Sequence, residues 1–186
     1  MTNTISLPNL ITLARLLSVP LIVSLILSHQ LIVAFIFFTL AGLSDALDGF
    51  LARIFKSRTT LGAYLDPLAD KALLVGVFTA LGHTGLADIW VVVLVVFRDV
   101  LIIGGIILLF LFKNNIEMKP LMVSKVNTVV QLIYALFILA QGDSYFGMPF
   151  LSVWLGYLVA FTTVLSGVIY VRLAFKYFSK MDVSIS

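Results

Sequence analysis

Six apolar stretches, separated by short polar breaks, occupy most of this 186-residue chain. An α-helix needs about 20 mainly apolar residues to cross a bilayer, and each stretch reaches that length. Only 11% of the residues are charged, and 61% are hydrophobic. The chain is therefore predicted to be a single all-α integral membrane domain over 1–186. Its six transmembrane helices are expected near 8–28, 31–52, 61–82, 89–112, 121–141 and 150–171.

In the connections between these stretches, lysine and arginine occur on one side only. The connections at 29–30, 82–85 and 141–144 contain neither residue. Because cytoplasmic loops carry an excess of lysine and arginine, the basic connections and both termini are predicted to be cytoplasmic. We expect a multi-pass protein of a bacterial cytoplasmic (inner) membrane. The basic connections carry Arg53, Lys56, Arg58, Lys113, Lys119, Arg172, Lys176 and Lys180.

Composition excludes several classes of site. The chain has no cysteine, so it has no disulfide, thiolate nucleophile or iron–sulfur cluster. It has two histidines, His29 and His83, which makes a zinc site an unfavourable interpretation. The N-terminal residues lack the basic region and cleavage site of a signal peptide. The net charge of +3 reflects membrane orientation, and no basic, aromatic-rich segment indicates nucleic acid as a partner.

Four aspartates interrupt the apolar sequence at the cytoplasmic ends of the second and third predicted helices. Asp45 and Asp48 are three residues apart, so they point to one side of the second helix. Asp66 and Asp70 are four residues apart and share a side of the third helix. Unpaired, four such charges would cost on the order of 10 kcal/mol at membrane depth. If the helices are neighbours, a cation must neutralise them, and oxygen ligands favour Mg²⁺, Mn²⁺ or Ca²⁺ over zinc.

Other charged or restricted residues within the apolar stretches each allow two interpretations. Pro67 either starts the third helix or kinks a helix that begins near Thr60; the earlier start gives the length that a bilayer needs. Arg15 either extends to the lipid headgroups or faces the acidic site. Arg98 forms a structural ion pair with Asp99 or binds a phosphate, and the functional interpretation is favoured for a charge inside a membrane. Lys125 has the same two interpretations.

The acidic residues suit phosphoryl-type chemistry. Two divalent cations shared by four carboxylates can hold both the attacking and the leaving oxygen of an in-line displacement. Gly49 and Gly62 lack Cβ atoms and allow a ligand to approach closely, and Ala52 leaves room on the same helix. Arg53 can contact phosphate oxygens through two donors. Taken alone, the Asp-x-x-Asp-Gly segment is a weak signal.

The complete spacing is far more specific. The pattern Asp-x2-Asp-Gly-x2-Ala-Arg-x8-Gly-x3-Asp-x3-Asp resembles the signature of the CDP-alcohol phosphotransferase family. Six spanning helices and a short amphipathic N-terminal segment, here residues 7–15, are also features of that family, so the resemblance covers nearly the whole chain. The eight matching positions are Asp45, Asp48, Gly49, Ala52, Arg53, Gly62, Asp66 and Asp70.

The resemblance implies a role for each of these residues. One divalent cation, Mg²⁺ or Mn²⁺, would be held by Asp45, Asp48 and Asp66. A second would be held by Asp45, Asp66 and Asp70. Asp70 would also take the proton from the acceptor hydroxyl as that hydroxyl attacks the lipid-bearing phosphorus and CMP leaves; a neighbouring dication lowers the hydroxyl's pKa and makes this transfer feasible. The CDP part of the donor would contact Gly49, Ala52, Arg53 and Gly62.

The second half of the chain bears on the acceptor. The segments 97–100, 122–131 and 160–163 look like those of cardiolipin synthases that use CDP-diacylglycerol, whereas relatives that make phosphatidylglycerophosphate tend to carry Arg-Glu and Lys-Val-Lys-Thr in the first two. The resemblance therefore implies phosphatidylglycerol as acceptor, with glycerol 3-phosphate as the alternative. Either phosphate could be bound by Arg98 and Lys125. The family also implies a homodimer in the lipid bilayer and a place in phospholipid biosynthesis.

A divalent-cation transporter is a distant alternative. It would explain four aspartates by metal binding alone. It would not explain Gly49, Ala52, Arg53 and Gly62 at fixed spacing, and it would gain nothing from Arg53 beside a cation pathway. Inverted repeats with interrupted helices, which are common in transporters, are not found in the sequence.

Overall fold

The structure is a computed structural model of the chain. It describes the backbone of residues 7–55, 60–111, 122–142 and 149–182. The side chains described are those of residues 11–44, 68–105, 122–142 and 150–173. Statements about contacts below concern these residues.

Six α-helices and no strand make up the described part of the chain, as the six apolar stretches predict. The sixth helix was predicted to end near residue 171 but continues to Asp182, through a segment that is more polar than the apolar stretch before it. The third helix begins at Thr60, which confirms the earlier of the two predicted starts and leaves Pro67 inside it. The helices are α1 (Leu7–Leu27), α2 (Leu31–Phe55), α3 (Thr60–His83), α4 (Ile89–Leu111), α5 (Met122–Gln141) and α6 (Pro149–Asp182).

The amphipathic segment at residues 7–15 forms the first turns of α1 and continues directly into its apolar part. α1 and α2 are joined by a tight turn in which His29 adopts a positive φ of 57°. The turn is closed by bonds from the backbone N–H of His29 to Ile26 O (3.0 Å) and of Gln30 to Leu25 O (2.9 Å). This is a Schellman arrangement, which satisfies carbonyls at a helix end. His29 therefore has a backbone role in the fold.

The helices pack around α3, which contacts α1, α4 and α5. α2 packs on α1 and α5, and α6 packs on α4 and α5. The core is almost purely aliphatic and aromatic, and Phe38, Phe78 and Leu139 are nearly or fully buried in it. Many large hydrophobic side chains face outward, such as Phe97 and Phe150, which are 64% and 75% exposed. A bundle that is apolar both inside and outside is suited to lipid as its solvent.

Two helical segments in the described chain are, by length and composition, long and apolar enough to cross a membrane. They are Met122–Gln141 and Phe150–Leu173. Two shorter apolar helical segments, Ile11–Leu27 and Leu31–Ser44, belong to α1 and α2.

α1 and α3 approach each other closely at Gly76. A Cβ atom at this position would lie 3.1 Å from Val19 Cγ1 and 3.2 Å from Val23 Cγ2. A small residue in one helix lets two helices pack backbone to backbone, a common device in membrane proteins.

Gly76→Leu is expected to push α1 away from α3 and lower the free energy of unfolding by about 1–3 kcal/mol, the usual cost of overpacking. Gly104→Leu is the matched control, because a Cβ at Gly104 meets no atom within 4 Å. Unfolding by sodium dodecyl sulfate in mixed micelles, followed by circular dichroism, measures both. Equal stability of the two variants would contradict the close-packing interpretation.

Candidate functional site

Asp70, the last aspartate of the sequence pattern, is paired with a buried arginine from another helix. Arg15 Nη1 of α1 donates to Asp70 Oδ1 of α3 at 2.7 Å. The Arg15 side chain is 1% exposed and the Asp70 side chain 40% exposed. Of the two interpretations of Arg15, the structure supports the one in which it faces the acidic site. The pair leaves a partly open carboxylate held by a buried guanidinium.

A pocket opens beside this pair, between α1, α2, α3 and α5. Its polar groups are Arg15, Asp70 and Thr128, while Leu74 and Leu132 lie one helical turn further along α3 and α5 than Asp70 and Thr128. The pocket is therefore polar at one end and apolar at the other. Its lining residues are Arg15, Ala41, Gly42, Asp70, Leu73, Leu74, Thr128 and Leu132.

The remaining residues of the pattern lie on the helices that border this pocket. Asp45 is one turn beyond the pocket-lining Ala41 on α2, and Asp66 is one turn before Asp70 on α3. Their side chains lie outside the described residues, as do those of the other five positions. Among the described side chains, no group of three or more potential ligands gathers. The four-aspartate metal site thus stays a prediction, and so does the donor site formed by Asp48, Gly49, Ala52, Arg53 and Gly62.

A second charged cluster is buried between α3, α4, α5 and α6. Asp99 is fully buried, and its Oδ1 accepts from Lys71 Nζ and from Arg98 Nη1, each at 2.6 Å. Arg98 Nη2 donates to Ser124 Oγ at 2.6 Å and to Ser166 Oγ at 2.7 Å. One carboxylate and one guanidinium therefore connect four helices. Two cations share one anion, so the cluster carries one excess positive charge.

About one turn along α5 from Ser124, polar side chains of α5 and α6 form hydrogen bonds with each other. Asn127 Oδ1 accepts from Thr162 Oγ1 at 2.8 Å and from Thr163 Oγ1 at 3.0 Å. Gln131 Nε2 approaches Thr163 Oγ1 at 3.4 Å. Asn127 and Gln131 are both fully buried. Both residues belong to the segment 122–131 that resembles cardiolipin synthases, and their contacts with α6 could not be predicted from the sequence.

The two predicted acceptor-binding residues lie in different environments. Arg98 is buried and contacts Asp99, so the ion-pair interpretation of this residue is realised, and its further role in binding phosphate stays a prediction. Lys125 is exposed, and no contact in the described residues joins it to Arg98. Lys71 was not identified from the sequence, although it directly follows Asp70 and is the more accessible cation of the cluster, with 21% of its side chain exposed.

Comparison with known proteins places this arrangement in a family. The model of the family described as CDP-alcohol phosphatidyltransferase matches residues 5–165, which include the whole aspartate pattern. The chain belongs to the CDP-alcohol phosphatidyltransferase family. Members of this family are integral membrane enzymes of phospholipid biosynthesis, in agreement with the outward-facing apolar surface of the bundle.

Curated relatives in the family carry two different names. A chloroplastic CDP-diacylglycerol–glycerol-3-phosphate 3-phosphatidyltransferase of Oryza sativa is 38% identical over 89% of this chain and 56% of its own length. The CMP-forming cardiolipin synthase of Rattus norvegicus is 35% identical over 70% of the chain and 49% of its own length. A CDP-diacylglycerol–glycerol-3-phosphate 3-phosphatidyltransferase of Rickettsia felis is 31% identical over 93% of the chain and 97% of its own length. The chain thus spans about half of the rice and rat proteins.

Asp99→Asn is expected to lower the free energy of unfolding of the protein by about 3 kcal/mol or more, because it leaves two cations without their shared anion in a buried site. Asp88→Asn is the matched control: Asp88 is exposed and precedes α4, where asparagine caps a helix equally well. Unfolding in mixed micelles measures the difference. A stability loss as small as that of the control would show that the cluster does not need its anion.

Proposed function

We propose that this protein transfers a phosphatidyl group from CDP-diacylglycerol to the hydroxyl of an acceptor that contains a glycerol phosphate, with release of CMP. The observation that carries the proposal is the complete eight-position pattern within the region matched by the family model. Support comes from Asp70, a residue of the pattern whose partly open carboxylate lies beside a pocket of polar and apolar side chains.

The described part of the site fits a divalent cation as its cofactor. Asp70 supplies a hard oxygen ligand that is partly open, and its position is fixed by Arg15. We propose that Asp45, Asp48, Asp66 and Asp70 hold two divalent cations, Mg²⁺ or Mn²⁺. Bound there, such cations would neutralise the diphosphate and lower the pKa of a neighbouring hydroxyl.

In this proposal the protein accepts a proton, binds phosphate oxygens and binds the CDP part of the donor during the displacement. Asp70 accepts the proton of the acceptor hydroxyl. That oxygen forms a new bond to the phosphorus that bears the diacylglycerol, the bond from this phosphorus to the CMP oxygen breaks, and CMP departs with the electron pair. Arg53 binds phosphate oxygens of the donor. The CDP part of the donor contacts the small residues Gly49, Ala52 and Gly62.

The comparisons support glycerol 3-phosphate better than phosphatidylglycerol as the acceptor, and we take it as the first candidate. The Rickettsia felis relative, which aligns with the chain over almost its own full length, is named a CDP-diacylglycerol–glycerol-3-phosphate 3-phosphatidyltransferase. The rice protein, at 38% identity, carries the same activity in its name.

Phosphatidylglycerol is the second candidate, favoured by residues in the second half of the chain. The segments around Arg98, Asn127 and Thr163 resemble those of cardiolipin synthases, and they contact one another in the buried clusters of α4, α5 and α6. The excess of one positive charge at Lys71, Arg98 and Asp99 also matches a phosphodiester, which has one negative charge, better than a phosphomonoester with nearly two. In either case we propose that Arg98 and Lys125 serve the acceptor phosphate.

We also propose the cellular setting that the charge pattern predicts. The basic connections would face the cytoplasm of a bacterial inner membrane, so that the site opens toward nucleotide and metal. The homodimer implied by the family stays a prediction, which cross-linking in native membranes would check.

A lipid-product assay distinguishes the acceptors. Purified protein with Mg²⁺ or Mn²⁺ and CDP-diacylglycerol is given either glycerol 3-phosphate or phosphatidylglycerol, and CMP and lipids are quantified. Phosphatidylglycerophosphate as product supports the first candidate, and cardiolipin the second. Absence of CMP release with both acceptors would refute the proposed function, and metal transport into proteoliposomes without CMP release would favour the cation transporter.

Asp70→Asn is expected to abolish turnover and largely to spare donor binding, because the amide cannot accept the hydroxyl proton at neutral pH. CMP release measures turnover, and quenching by a fluorescent CDP-diacylglycerol analogue measures binding. An active Asn variant would rule out Asp70 as the general base.

Gly42→Leu is expected to fill the pocket beside Asp70. A Cβ at Gly42 meets no atom within 4 Å, so the larger side chain extends into open space. CMP release should fall by at least about tenfold, since displacement of reacting groups by about 1 Å can cost about 100-fold. Gly104→Leu is again the control. Full activity of Gly42→Leu with unchanged stability would show that no substrate enters this pocket.

A further inference from the structure

Arg15 lies where an arginine is costly unless the protein uses it. Its side chain is 1% exposed and lies in the third turn of a helix whose other buried residues are mainly aliphatic. An arginine that merely reached the headgroups would be exposed at its guanidinium end. A buried charge is retained when a partner and its geometry compensate the loss of hydration.

The partner of Arg15 is Asp70, and the helix pair that carries the two residues is held at a fixed distance. Val19, one turn beyond Arg15, packs against Gly76, which lies six residues beyond Asp70 on α3. The ion pair and the close contact of α1 with α3 therefore belong to one interface. A planar guanidinium on a fixed helix restricts the direction of a carboxylate more than the flexible, single-centred ammonium of lysine.

We infer that Arg15 is a positioning residue for Asp70: it holds the carboxylate toward the pocket against repulsion from the other aspartates of the pattern. This inference rests on the proposed function, since it assigns Asp70 to the metal and proton-transfer site. Arg15 lies outside the eight-position pattern. The sequence allowed it either to extend to the lipid headgroups or to face the acidic site. Its contribution is exerted through Asp70 and requires no contact with substrate.

Metal binding without substrate tests this inference. Free Mn²⁺ is followed by electron paramagnetic resonance while it is titrated into the purified full chain. Arg15→Gln is expected to weaken Mn²⁺ binding by about 10- to 100-fold, the usual effect of losing a group that orients a metal ligand. Arg15→Lys should recover part of this loss. Arg172→Gln, at an exposed position of α6, is the matched control for loss of one positive charge and should bind Mn²⁺ as the wild type does.

A double variant separates positioning from simple charge or stability effects. If Arg15 acts through Asp70, then Arg15→Gln added to Asp70→Asn should produce no further loss of Mn²⁺ affinity. The inference is overturned by a further loss of the same size in the double variant. It is equally overturned if Arg15→Gln lowers only thermal stability and leaves Mn²⁺ affinity unchanged. Should Arg15→Gln fail to fold, Arg15→Lys carries the same comparisons.

The same measurements distinguish a failure of the proposed function from a failure of the role inferred for Arg15. A wild-type protein that neither binds Mn²⁺ nor releases CMP would refute the function itself. A wild-type protein that does both, with Arg15 variants that bind Mn²⁺ normally, would refute only the role of Arg15.

Discussion

Charge that is buried in an apolar bundle has to be compensated inside the bundle, and this requirement organises the structure. Asp70 and Arg15 compensate each other between α1 and α3. Asp99 pairs with both Lys71 and Arg98 between α3 and α4, and Lys71 is the partly exposed cation of the two. For the fully buried pair of Arg98 and Asp99, removal of one member costs about 3–5 kcal/mol. The charged groups thus fix how neighbouring helices are arranged around the pocket while the apolar core supplies the bulk of the packing.

α3 is the element on which the site and the fold meet. Asp70 faces α1 and the pocket, whereas the adjacent Lys71 faces α4, because successive residues on a helix point in directions about 100° apart. Gly76, further along, sets the distance to α1. A change in the position of α3 would therefore move both the acidic pattern and the positively charged cluster. The two sites are coupled through α3 because Asp70 and Lys71 are consecutive residues of this helix.

Much of the fold could be predicted from the sequence, because the length of an apolar stretch shows whether a helix can span a membrane. A third helix that begins at Thr60 is long enough to span, whereas one that begins at Pro67 is too short. The end of α6 could not be predicted, since a helix that leaves the apolar region keeps its hydrogen bonds in water. The pairing of Arg15 with Asp70 required the packing of α1 on α3, which is not encoded locally. The contacts of Ser124 and Ser166 with Arg98 could not be predicted. A serine in an apolar helix can bond its hydroxyl to the backbone of its own helix, so the sequence does not indicate a partner on another helix. The contact of Lys71 with Asp99 could not be predicted, because it depends on the packing of α3 against α4.

The polar interior occupies only part of the length of the bundle. Among the described residues, the buried polar side chains end near Arg15, Arg98 and Gln131, and the buried residues between these and the turn joining α1 to α2 are hydrophobic, including Ile26, Phe38 and Leu81. Ions cross such a layer only at high energetic cost. The hydrophobic layer thus insulates the polar interior electrically from the end of the bundle at which α1 and α2 are joined.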